Sequence, residues 1–129
     1  MKPIIQTYEM KATPKEVFTA LVTPGIIQKW SGAPAQMDGN VGTKFVLFGG
    51  AIHGTNLEVV PDQKLVQEWY AGNWETPSTV TFTLRPTQAG TTVELRHEGV
   101  PDNAHQEISS GWDTNYLGSM QKMFGAGTR

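Results

Sequence analysis

The sequence predicts an α+β domain: a curved antiparallel sheet of six or seven strands wrapped around one long C-terminal helix, with two short helices after the first strand. Three observations carry this. Ile108, Trp112, Tyr116, Met120 and Met123 recur every three or four positions and share one helical face. Between residues 43 and 98, strand-length apolar or alternating segments follow one another with turn signals between them. A long amphipathic helix that closes such a chain must lie across the sheet, because nothing else is available to cover both apolar surfaces.

The elements follow in order. The first strand is expected over 3–11, with Ile4, Tyr8 and Met10 on one side. Thr13-Pro14-Lys15-Glu16 is a helix start: threonine caps, proline suits the first helical position, and glutamate three residues after the cap completes a capping box. That helix carries Val17, Phe18 and Leu21 and stops near Thr23-Pro24-Gly25, and a second short helix follows over Ile26 to Trp30. Strands are expected at Thr43–Phe48, His53–Val60, Leu65–Ala71, Thr79–Arg85 and Thr92–Glu98, with a weaker one at 35–38. Turns fall at Gly49-Gly50, Pro61-Asp62, Gly72–Pro77 and Gln88-Ala89-Gly90. Val80, Phe82 and Leu84 alternate with Thr79, Thr81, Thr83 and Arg85, as in a sheet with one wet face.

A chain of 129 residues suits one domain with one core, spanning 1–129. The net charge is −2 and there is no Lys/Arg cluster, which argues against a nucleic-acid partner. Cysteine is absent, so disulfides, thiolate ligands and a cysteine nucleophile are excluded. No segment has the length of a membrane span and the N-terminus has no signal-peptide apolar run, so the expected location is cytoplasmic, with no membrane partner.

The chemistry-bearing residues are few. His97 has the strand parity of Val93 and Leu95, and His53 that of Leu57 and Val59, so both are expected to point inward. There they could orient a ligand carbonyl or hydroxyl, or act as acid or base; the plainer reading is a strand-end or internally bonded histidine. His53, His97 and His105 lack ligand-pair spacing, so no metal and no cofactor are expected, and His105 is expected to be solvated. No nucleophile-and-base set and no phosphate-binding loop are visible. Trp69 and Trp112 belong to sheet and helix stripe, whereas Trp74 sits in the polar loop Gly72-Asn73-Trp74-Glu75-Thr76-Pro77 and is either an interaction residue or a cover for the core rim. Gly111 and Gly118 each cost about 1 kcal/mol in a helix interior, which implies a close backbone approach or a loosened helix.

The order strand, two helices, meander, long helix resembles the helix-grip fold of the START-like (SRPBCC) superfamily. Within it the chain is similar to the C-terminal domain of activators of the heat-shock protein 90 ATPase (the Aha family). The matching segments are Gly42-Thr43-Lys44-Phe45, Gly54-Thr55-Asn56-Leu57-Glu58-Val59-Val60-Pro61, Leu65-Val66-Gln67-Glu68-Trp69, Gly99-Val100-Pro101, Gly111-Trp112 and Phe124-Gly125-Ala126-Gly127. The resemblance implies either a chaperone partner or a small apolar ligand.

The expected function is a binding module with a hydrophobic cavity between sheet and C-terminal helix, accepting a small hydrophobic or aromatic molecule. Phe45, Leu57, Trp69, Phe82, Trp112, Tyr116 and Met120 would supply apolar area, and His53 and His97 the orienting polar contacts. The alternative is a co-chaperone that docks on heat-shock protein 90 through Trp74 and neighbouring loops and modulates its ATPase. A small-molecule cyclase or lyase is the third reading.

Overall fold

The structure is a computed structural model and describes residues 2–126; Gly127, the last residue of the closing motif, lies outside them. The six strands form one antiparallel sheet in the order β1-β6-β5-β4-β3-β2. They are β1 (Ile4–Met10), β2 (Lys44–Leu47), β3 (Ile52–Val60), β4 (Lys64–Ala71), β5 (Ser78–Pro86) and β6 (Thr91–Glu98). From β2 to β6 the sheet is a plain meander, and β1 then returns to the outer side of β6. The weak strand expected at 35–38 is only a bridge, Gln36 to Val46, which pairs with the outer edge of β2. Among the described residues the sheet therefore has six strands and no seventh.

Two helices, α1 (Pro14–Val22) and α2 (Pro24–Ser31), cross between β1 and β2. The capping box at Thr13 forms in full: Glu16 donates its backbone N–H to the Thr13 hydroxyl, and its carboxylate accepts from the Thr13 N–H at 2.9 Å. Helix α2 starts two residues earlier than expected, because Pro24 fits the first helical position. The Trp30 indole N–H donates to the Ala20 carbonyl at 2.9 Å and locks α1 to α2.

The C-terminal helix lies across the concave face, yet it is not one uniform α-helix. It runs as α3 (His105–Gly111), a π-helical turn (Trp112–Tyr116), α4 (Leu117–Gln121) and a second π turn (Lys122–Ala126). Its stripe is buried as the spacing requires, with Trp112, Tyr116, Leu117 and Met120 all at 3% exposure or less. The Ser119 hydroxyl donates to the Trp30 carbonyl, and the Gln6 amide donates to the Ser109 carbonyl at 3.0 Å, which fix the helix to α2 and β1.

One hydrophobic core joins sheet and helices. The inward side chains of β5 and β6, Val80, Phe82, Leu84, Val93, Leu95 and His97, alternate with exposed or half-exposed polar residues, as the sequence pattern predicts. Strand β3 departs from that alternation. A bulge between Asn56 and Glu58 leaves Leu57 without a partner on β4 and reverses the parity of the strand. Gly54 and Asn56 therefore face inward before the bulge and Val59 packs on the core after it. Gly54 is needed there, because a Cβ at this position would lie 1.8 Å from the Glu68 carbonyl oxygen.

Candidate functional site

The bulge decides where two expected site residues sit. His53 lies on the outer face, where its ring stacks on Tyr70 at 5.1 Å and 9°. Leu57 is also outside, 48% exposed. Neither lines an interior cavity; parity counted without the bulge places both on the wrong side.

His97 does face inward and is fully buried, but it is withdrawn behind Trp112. The Trp112 indole N–H donates to His97 Nδ1 at 3.0 Å. An indole nitrogen only donates, so Nδ1 is an acceptor and the ring proton sits on Nε2. Nε2 then donates to the Ser78 hydroxyl at 2.8 Å, which donates in turn to the Trp69 carbonyl at 2.8 Å. Both ring nitrogens are therefore committed, and the chain ties β4, β5, β6 and the C-terminal helix together. Burial, with a smaller contribution from the charge of His105, pushes the His97 pKa down to about 3, so the ring is neutral at physiological pH.

Phe45, Phe82 and Met120 are interior packing, each 1% exposed or less. Phe82 meets Trp112 edge-on at 5.7 Å and stacks on Tyr116 at 6.0 Å, so it backs both of these buried rings. Trp74 is half-buried and leans on Trp69 with ring centroids 6.2 Å apart, which places it as a cover at the core rim. His105 begins α3, and its Nε2 is buried without a hydrogen-bond partner among the described residues, contrary to the solvated position expected.

The sheet and the C-terminal helix part at one end and leave a cleft of about 420 Å³, within the usual size range of small-molecule sites. Its sheet side is formed by Phe48 and Ala51 from the β2–β3 connection, Ile52 at the start of β3, Trp69 and Ala71 from the end of β4, and Gly72 just after it. Its helix side is formed by Glu107, Ile108, Gly111, Trp112, Asn115 and Tyr116. Of the residues expected to line a cavity, the structure thus brings Trp69, Trp112 and Tyr116 together at the cleft.

Sequence reasoning missed Phe48. It adopts a left-handed backbone (φ 52°) ahead of Gly49 and Gly50, which turns its ring back towards Trp30 and Tyr116. The Gly-Gly pair marked the turn, but nothing in the pattern marks the preceding aromatic as part of a site. Glu107 and Asn115 were missed too; each immediately precedes a stripe residue, Ile108 and Tyr116, and so sits at the rim of the buried face. Among the described residues, no group of three or more His, Cys, Asp or Glu stands close enough to hold a metal ion. No helix among them is long and apolar enough to cross a membrane.

The family model described as Activator of Hsp90 ATPase homolog 1-like protein matches residues 11–125. The chain belongs to this family. An activator of 90 kDa heat shock protein ATPase homolog from Dictyostelium discoideum is 28% identical over 95% of this chain and 34% of its own length. The human activator of 90 kDa heat shock protein ATPase homolog 1 is 25% identical over 91% of this chain and 35% of its own. The chain thus spans about a third of the length of these curated relatives. Among solved structures, an HSP90 activator from Plasmodium falciparum superposes with a TM-score of 0.89 at 26% identity, covering 97% of both chains. The helix-grip architecture read from the sequence is the architecture of this solved relative.

Proposed function

We propose that this chain is an accessory domain that docks on a heat-shock protein 90 chaperone in the cytoplasm and modulates its ATPase. The observation that carries this reading is the likeness to the Plasmodium activator, which extends over 97% of each chain at 26% identity. The docking face we assign is the loop Gly72–Pro77. Its residues other than Trp74 are exposed, and Trp74 anchors it to the core. A tryptophan whose inner face is fixed and outer edge is available presents contact area at little conformational cost. The test is the chaperone's ATP turnover with and without a saturating amount of this protein. A reproducible change in rate supports the reading, and an unchanged rate together with no detectable complex contradicts it.

A second reading is supported by the cleft itself. A largely apolar opening between sheet and helix, walled by Phe48, Trp69, Trp112 and Tyr116, suits a small hydrophobic or aromatic molecule. Gly111 offers a clean test, since a Cβ there meets only the Asn115 amide nitrogen, at 3.9 Å. Gly111→Leu should fill the cleft, abolish binding of an apolar probe such as naphthalene, and leave the melting temperature unchanged or higher. Naphthalene binding that survives the substitution would place the ligand elsewhere.

A further inference from the structure

The cleft has an uneven chemistry. Four aromatic residues, Phe48, Tyr116, Trp112 and Trp69, contribute to its wall, and they form a continuous series with ring centroids 6.0, 4.4 and 5.5 Å apart. No lysine, arginine or histidine lines it; the one ionisable carboxylate is Glu107, exposed at the mouth. Among the described residues Glu107 takes part in none of the ion pairs, which join Lys64 to Glu58, Arg85 to Glu94 and Arg96 to Glu98. A carboxylate with no basic partner, at the opening of an aromatic-walled cleft, discriminates by charge. An anionic amphiphile would meet repulsion with no cation to offset it. A cation would gain the attraction of the carboxylate while its apolar body stays against the cleft wall.

We propose that the cleft selects organic cations: an apolar or aromatic body seated against Trp69, Trp112 and Tyr116, with an ammonium group held at the mouth by Glu107. This rests on the reading of the cleft as a ligand site and adds the class of ligand. It separates the cleft from sites for fatty acids or phosphorylated lipids, which need a basic residue where this one has an acid.

The test uses three probes that share a benzyl group: benzyltrimethylammonium, its uncharged isostere neopentylbenzene, and the anion phenylacetate. Binding of each is followed through the amide shifts of Ile108, Gly111 and Asn115 in the full chain. We expect the cation to bind most tightly and phenylacetate least. Glu107→Gln should lower the affinity for the cation about threefold to tenfold while leaving that for neopentylbenzene unchanged. Because Glu107 is exposed, this variant should fold as the parent does. Neopentylbenzene binding as tightly as the cation, or a cation affinity indifferent to Glu107→Gln, would overturn the charge selection and leave the cleft standing as an apolar site. If none of the three probes perturbed these amides, the cleft itself would fall as a ligand site, and the proposal with it.

Discussion

His97 ties three strands and the C-terminal helix together through one buried ring. Its neutral ring accepts from Trp112 and donates to Ser78, so protonation would turn the Trp112 acceptor into a second donor and break that bond. The folded pKa, about 3, lies below the ordinary 6.5, so the unfolded chain binds a proton that the folded chain does not. The stabilising contribution is therefore complete above about pH 6.5 and is lost progressively as pH falls towards 3, at roughly 1.4 kcal/mol per pH unit at its steepest. Melting temperatures of the parent and of His97→Gln should differ most above pH 6.5 and converge as pH falls; a gap independent of pH would remove His97 from this role. The inward direction of His97 was legible in the sequence because β6 carries no bulge, and strict alternation from Val93 through Leu95 reaches it unbroken. The same count failed for His53 and Leu57, since one extra residue at Leu57 reverses β3. A bulge leaves no signature in hydrophobic alternation when the inward positions are Gly54 and Asn56.

The C-terminal helix shows the same division. Its apolar stripe, read from residue spacing, is buried at Trp112, Tyr116 and Met120 and partly buried at its ends, Ile108 and Met123, while its π turns were not legible. The trace they left was Gly118. In the turn from Trp112 to Tyr116 the backbone closes so tightly that a Cβ at 118 would lie 1.8 Å from the Asp113 carbonyl oxygen. Tyr116 leaves the helical region there (φ −116°, ψ −99°), with its ring centroid 4.4 Å from that of Trp112 at the cleft. Gly118→Ala should therefore cost about 2–4 kcal/mol by forcing the turn apart. Gly111→Ala, with space around it, should gain up to about 1 kcal/mol from helix propensity. Urea unfolding of the two variants checks the contrast. Equal effects would mean that Gly118 is only a weak helix former, with no part in shaping the turn. Of the two explanations open for these glycines, close approach holds at Gly118, and the partner is the helix's own carbonyl.

Across the molecule, the fold follows from the demand that one curved sheet and one amphipathic helix bury each other. Element order, capping box, helix stripe and turns all point the same way in the sequence, so the architecture is legible there, while the return of β1 to the outer side of β6 is not. The cleft is not legible there either, because it depends on where Phe48 turns back and where the helix loosens, and both are set by backbone angles at single residues. Function lies further still from the pattern. The chain belongs to the Hsp90 ATPase activator family, yet it spans about a third of its curated relatives, and a partner is recognised by surface rather than by core. The proposal of chaperone docking is tested most directly by an amide chemical-shift titration of the isotope-labelled protein with the host's own heat-shock protein 90 chaperone. We expect saturable shifts or broadening confined to one patch that includes the Gly72–Pro77 loop, weakened in Trp74→Ala at nearly unchanged fold. A spectrum that stays unperturbed at high chaperone excess would contradict the accessory role.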